Sequence, residues 1–131
     1  MVLHTDGASS GNPGPSGAGV VIADASGGIV EEIHRHIGHA TSNAAEYEAV
    51  RLGLSRAVAL GARRVRVRLD SELIARQLSG RYKVRHPGLL DAFLKVEALI
   101  SRLDDVRFEA IPREKNARAD RLARLGARRR G

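Results

Sequence analysis

The chain has 131 residues, 43% of them hydrophobic, and carries 22 Lys+Arg against 15 Asp+Glu for a formal charge of +7. That length suits one domain with a true core, and no apolar run approaches the roughly 18 residues of a membrane span. Cysteine is absent, which excludes disulfides and thiol chemistry; with no basic-then-apolar opening, a cytoplasmic protein without a membrane partner is expected. Only Lys83, Lys95 and Lys115 among the cations are lysine, and the basic balance points to a polyanion, nucleic acid before a membrane surface.

Val2 to Asp6 reads as a short strand. Gly7 to Gly17 holds four glycines and two prolines, so it is expected to be a shaped loop, neither helix nor central strand. Ala18 to Ala23 is an apolar strand, Ser26-Gly27-Gly28 a hairpin turn, and Ile29 to Ile37 an alternating strand. Thr41-Ser42-Asn43 supplies capping residues for a helix that runs to about Leu60 and stops at Gly61. Val65, Val67 and Leu69 alternate with Arg64, Arg66 and Arg68 in a fourth strand ending at Asp70. Ser71 to Leu78 is a short helix. Leu89 to Leu103 is amphipathic, with Leu90, Phe93, Leu94 and Glu97-Ala98 at turn spacing. Val106 to Ile111 is a fifth strand, Pro112 ends it, and Asn116 is expected to cap a last helix reaching Gly126. The order βββαβααβα describes an α/β protein with a five-stranded mixed sheet flanked by helices. One domain is expected over residues 1–127, with 128–131 as a basic tail.

Four acids, Asp6, Glu46, Asp70 and Asp120, sit where elements start or end. Carboxylates collected from distant segments repel and lose hydration, so folding alone gives little reason to gather them; divalent cations would. If the first and fourth strands are parallel neighbours, Asp6 and Asp70 emerge at one sheet edge. Glu46 shares a helix face with Val50, Gly53, Leu54 and Ala57 and should lie on the sheet. Glu48 falls with Arg51, Leu52, Ser55 and Arg56 on a mostly polar face, where an Arg51 ion pair accounts for it. The plain alternatives are a capping role for Asp70 and a helix-dipole role for Asp120. His34, His36 and His39 lie on or beyond an alternating strand without acidic partners in register, and read as strand surface. The glycine-rich segment lacks the Gly-Lys-Ser/Thr ending of a P-loop.

These residues resemble a known family. Thr5-Asp6-Gly7 with Gly11-Asn12-Pro13-Gly14-Pro15 and Gly17-Ala18-Gly19 is similar to the opening motif of type 1 ribonuclease H. Thr41-Ser42-Asn43-Ala44-Ala45-Glu46-Tyr47, Leu69-Asp70-Ser71 and Asn116-Ala117-Arg118-Ala119-Asp120-Arg121-Leu122-Ala123 resemble its other three motifs, in order and across nearly the whole chain. The resemblance implies the ribonuclease H-like fold and endonucleolytic hydrolysis of the RNA strand of RNA–DNA hybrids. It implies that Asp6, Glu46, Asp70 and Asp120 hold two Mg²⁺ or Mn²⁺ ions, about 4 Å apart in such sites. It further implies that Ser9, Gly11, Asn12, Thr41, Ser42, Asn43 and Ser71 approach the hybrid, where 2′-hydroxyls distinguish RNA from DNA. Turn and cap roles for Asn12 and Asn43 compete with that assignment.

The chain departs from the family at two places. Gly80 to Pro87 stands where some members carry a long basic insertion, leaving Tyr82, Lys83 and Arg85 as the expected nucleic-acid contacts there. Double-stranded RNA is then an expected side substrate. A histidine-bearing loop before the last helix is also missing; Arg113 or Glu114 is the expected auxiliary. A monomeric nuclease is expected; the runner-up is a non-catalytic module of this fold that binds hybrid or double-stranded RNA.

Overall fold

In the computed structural model, which describes residues 1–80 and 87–128, β1 (Val2–Ser9) lies at the centre of a five-stranded sheet. It pairs antiparallel with β2 (Gly14–Ala23) and parallel with β4 (Arg64–Leu69). β3 (Ile29–Ala40) extends the sheet beyond β2, and β5 (Asp105–Ala110) runs parallel to β4, giving the order β3-β2-β1-β4-β5. The parallel placement of the first and fourth strands is the one on which convergence of Asp6 and Asp70 depends.

Helices cover both faces unequally. α1 (Ser42–Ala59) packs on β1 and β2 and against α3 (Pro87–Ile100). α2 (Glu72–Leu78) contacts β5 on its way between them. On the opposite face α4 (Ala117–Arg128) lies over β2, β1 and β3. This explains the continuous apolar run of β2, buried on both sides. Leu3, Val20, Ile22, Tyr47, Val50, Leu54, Val65, Val67, Leu69, Ile74 and Val96 form the core. No helix among the described residues is long and apolar enough to cross a membrane.

The structure corrects several boundaries. Most of the glycine-rich segment is strand: β1 continues through Gly7–Ser9, β2 begins at Gly14, and Ser9 pairs with Ser16. Asp6 therefore sits inside β1, opposite Gly19, rather than at its end. Glycine here serves close approach more than turning. A Cβ on Gly7 would lie 2.2 Å from the Glu46 backbone nitrogen, and one on Gly19 would lie 2.2 Å from the Ala119 carbonyl oxygen. The two positions flanking Asp6 thus let α1 and α4 come down onto the sheet beside it.

α3 is rotated relative to the expected face. Val96 is buried and Leu89, Ala92, Phe93, Leu99 and Ile100 pack around the core, whereas Leu90 and Leu94 are exposed. The buried set keeps helical spacing, shifted by one residue. On α1, Leu52 leaves the polar face for the core at 7% exposure, while the Glu48–Arg51 ion pair forms as expected. Asn116 does not cap the last helix. It ends a 3₁₀ turn (Arg113–Asn116) and its side-chain amide donates to the Thr5 carbonyl at 2.9 Å, tying that turn to β1.

Candidate active site

Asp6 points from the central strand toward α4 and is 4% exposed. Glu46 arrives one turn into α1. The start of that helix is fixed by Thr41, whose hydroxyl oxygen accepts the Ala44 amide at 3.1 Å, a cap that contributes about 1 kcal/mol. Asp70 follows the last residue of β4, where the chain turns into α2. Asp120, 9% exposed, sits in the first turn of α4. Carboxylate oxygens of Asp6, Glu46 and Asp70 lie within 4.8 Å of one another. Asp120 closes the group through a hydrogen bond with Asp6, and all four acids line one cavity of about 420 Å³.

The electrostatics of the group are uneven. Burial, then a hydrogen bond to Asp120 and the charges of Asp70, Glu46 and Asp120, push the Asp6 carboxyl up to about 9. Burial and the Asp70 charge raise Glu46 to about 7, against the pull of a hydrogen bond from Asp6 and the Arg113 guanidinium. Asp70 is raised by burial, with Arg113 opposing. Burial works upward on Asp120 too, but hydrogen bonds from Asp6 and Arg124 outweigh it and hold this acid below the usual range. A proton on Asp6 thus bridges neighbouring carboxylates that would otherwise repel.

A cation would replace that proton. Oε2 of Glu46 is buried without a hydrogen-bond partner, and an unpaired buried carboxylate oxygen beside two others is a ready ligand. The donors are all oxygens, the set that hard divalent ions such as Mg²⁺ and Mn²⁺ select. The residues present therefore fit a divalent metal centre.

The expected substrate-contact residues divide. Ser9 and Ser42 line the carboxylate cavity. Ser42 also borders a second cavity of about 560 Å³, with Asn12, His39, Ala40, Thr41, Asn43, Ala44, Gly88 and Leu89. The two cavities share a wall. Asn12 Oδ1 accepts the Ser42 amide at 2.9 Å, so the loop between β1 and β2, including the exposed Gly11, is pinned to the start of α1. Ser71 is spent otherwise: its hydroxyl oxygen accepts the Ile74 amide and caps α2, and it does not line the cavity. Tyr82, Lys83 and Arg85 lie outside the described residues. Arg113 lines the carboxylate cavity, whereas Glu114 does not. One residue escaped the sequence reading altogether: Arg124 lines the cavity and pairs with Asp120. The signal was present as the helical spacing of four between them. Of the histidines, His36 places Nδ1 2.9 Å from the Gly126 carbonyl oxygen, an ordinary strand-to-helix tie.

The model of the reverse transcriptase-like family matches residues 4–126. The bifunctional protein Rv2228c of Mycobacterium tuberculosis is 46% identical over 125 residues, covering 94% of this chain but only 34% of its own length. Its N-terminal RNase H domain superposes with a TM-score of 0.93 at 43% identity, over 96% of this chain and 97% of that one. Ribonuclease HI of Halobacterium salinarum is 41% identical over 120 residues, 92% of this chain and 60% of its own length. The structure of LC11-RNase H1, isolated from compost, in complex with an RNA/DNA hybrid matches at TM-score 0.91 and 43% identity, over 96% of this chain and 95% of that one. The chain thus spans about a third of the mycobacterial relative. With the motifs, the sheet order and these likenesses in agreement, the chain belongs to the reverse transcriptase-like family, as a domain of the type 1 ribonuclease H kind.

Proposed function

We propose that the chain is a metal-dependent endoribonuclease that hydrolyses the RNA strand of RNA–DNA hybrids and leaves 5′-phosphate ends. The observation that carries the reading is the convergence of Asp6, Glu46, Asp70 and Asp120, from four separate elements, on one cavity. These acids would hold two Mg²⁺ or Mn²⁺ ions. Bound there, the ions supply Lewis acidity toward phosphoryl oxygen and a water acidic enough to attack at neutral pH.

The chain's own residues prepare that chemistry. Asp6 and Glu46 must release the protons that burial and their neighbours impose on them. Asp120, held ionised by the hydrogen bonds from Asp6 and Arg124, is ready to ligate without that step. Arg113 offsets the negative charge around Glu46 and Asp70 and, lining the same cavity, would offer its guanidinium to a phosphodiester bound there. The polar wall of Ser9, Asn12, Thr41, Ser42 and Asn43 offers short side chains and backbone groups suited to ribose hydroxyls.

Hybrid is the preferred substrate because the LC11 relative is seen in complex with one; double-stranded RNA is a weaker one. The protein acts as a cytoplasmic monomer. The deciding experiment is cleavage of an end-labelled hybrid with Mg²⁺ or Mn²⁺, with EDTA and double-stranded RNA as controls. Asp70→Asn, a small change on a partly exposed residue, brings cleavage down to the EDTA level while the circular dichroism spectrum stays native. Near-normal turnover by that variant sinks the assignment. Hybrid binding without cleavage by the wild type establishes the non-catalytic module instead.

A further inference from the structure

Because α4 covers β1, β2 and β3 only, the same face of β4 and β5 is left open. The period of two places Arg64, Arg66 and Arg68 together on it, since Val65, Val67 and Leu69 turn into the core. Val106 and Phe108 of β5 likewise pack inward, so Asp105, Arg107 and Glu109 share the open face. In register, Arg64 stands opposite Asp105, Arg66 opposite Arg107, and Arg68 opposite Glu109.

Two features of this face are unfavourable to the fold itself. Like charges directly opposite across a strand pair destabilise it, and Arg66 faces Arg107. The compensating acids are too few. Glu109 serves both Arg66, at 3.8 Å, and Arg68, at 3.5 Å; Asp105 serves Arg107 at 3.3 Å. Among the described residues Arg64 has no side-chain ion pair. The side chains are not scattered over a flat surface: Arg64, Arg66 and Arg107 line one concavity of about 430 Å³ with Met1, Val2, Ala25, Val65 and Asp105.

The strip also has a direction. Arg68 lies two residues before Asp70, and Arg64 lies four residues further back, a run of ~13 Å along β4. A polymer emerging from the carboxylate cavity would meet Arg68, then Arg66 with Arg107, then Arg64.

We propose that the open face of β4 and β5 is a second contact surface for nucleic acid, on which Arg64, Arg66, Arg68 and Arg107 bind backbone phosphates of the strand continuing beyond the carboxylate cavity. Its occupant is identified by charge: a repeating anion matches a row of cations left in excess by their own acids. The surface reads no sequence, because guanidinium–phosphate contacts carry none. It supplies affinity beyond that of the carboxylate cavity. The identity of the polymer rests on the nuclease reading of the cavity; the surface itself does not.

The test compares Arg66→Gln/Arg107→Gln with Arg35→Gln/Arg102→Gln, which removes equal charge from exposed positions elsewhere. Affinity for a long RNA–DNA hybrid is measured by fluorescence anisotropy in EDTA across a salt series, so that no cleavage intervenes. The first variant binds roughly tenfold more weakly at low salt, with the log–log salt slope shallower by about two, while the control stays close to wild type. Turnover of a hybrid too short to leave the cavity, read with Mn²⁺, is unchanged. The first variant melts at or above the wild-type temperature, because the facing arginines no longer repel. Equal losses in both variants, an unchanged slope, or a lower melting temperature overturn the proposal. So does an equal loss of binding to polyglutamate, which would make the face a general sink for anions. Wild-type protein that binds hybrid but never cuts it defeats the nuclease reading and leaves this comparison intact.

Discussion

Replacing Asp6 with asparagine should stabilise the metal-free protein, and by an amount that grows with pH. Asp6 is buried among three other acids and holds its proton to about pH 9, whereas in the unfolded chain it ionises near its ordinary 3.8. Over that window the native state binds a proton that the unfolded state has released. The slope of stability against pH is therefore negative, and stability falls as pH rises. At neutral pH the loss relative to acid conditions is on the order of 4 kcal/mol, from about 1.4 kcal/mol per pH unit above the unfolded value. Asparagine keeps a hydrogen-bond donor beside Asp120 and cannot ionise, so the variant escapes that loss. In EDTA the melting temperature of Asp6→Asn should exceed that of wild type by about 15 °C near neutral pH, with the gap closing toward pH 4. Adding Mn²⁺ reverses the order, because the wild type gains binding energy that the variant has given up. Calorimetric scans from about pH 5 to about pH 9, with and without metal, measure both effects. Parallel pH slopes for the two proteins, or equal stabilisation of both by Mn²⁺, would refute the account of the cluster.

Gly7→Ala should damage the site without touching a charged residue. The added methyl would lie 2.2 Å from the Glu46 backbone nitrogen, so the start of α1 must move; a loss of about 1–3 kcal/mol by thermal melting, with cleavage falling further than stability explains, is expected. Arg124→Ala should release Asp120 upward from its lowered range by removing the ion pair. NMR titration of the Asp120 carboxyl in metal-free protein reads the change, and an unmoved titration would show that the Asp6 hydrogen bond and the Arg113 charge suffice to keep this acid ionised.

Much of the architecture was legible because burial leaves periodic marks. Alternation in residues 64–69 identified β4, and the contrast between Glu46 and Glu48 followed from which residues share a turn of helix. Glu46 and Asp70 could be picked out beside a helix cap and a strand end, whereas Asp6 lies inside β1 and Asp120 follows a 3₁₀ turn, so for those two the motif resemblance was the surer guide. The glycine-rich segment misled for a physical reason: glycine serves both turns and tight backbone contacts, and only the tertiary partner distinguishes them. Gly7 and Gly19 are dictated by helices that begin dozens of residues later. The face of α3 misled because leucines at 90 and 94 carry the same spacing as the buried set one position away. Asn116 looked like a cap since its side chain suits one, yet the Thr5 carbonyl is the partner it takes. Nothing local could announce a bond spanning that distance.

The docking of α4 has a consequence in time. Its backbone settles against Gly17 and Gly19 of the second strand, and Asp120 is carried there by that helix. A nascent chain still short of residue 120 can own three of the acids but not the fourth. Until that helix docks, the carboxylate group lacks its fourth member and Asp6 lacks the neighbour that shares its hydrogen bond. Docking of α4 is the event that completes the group.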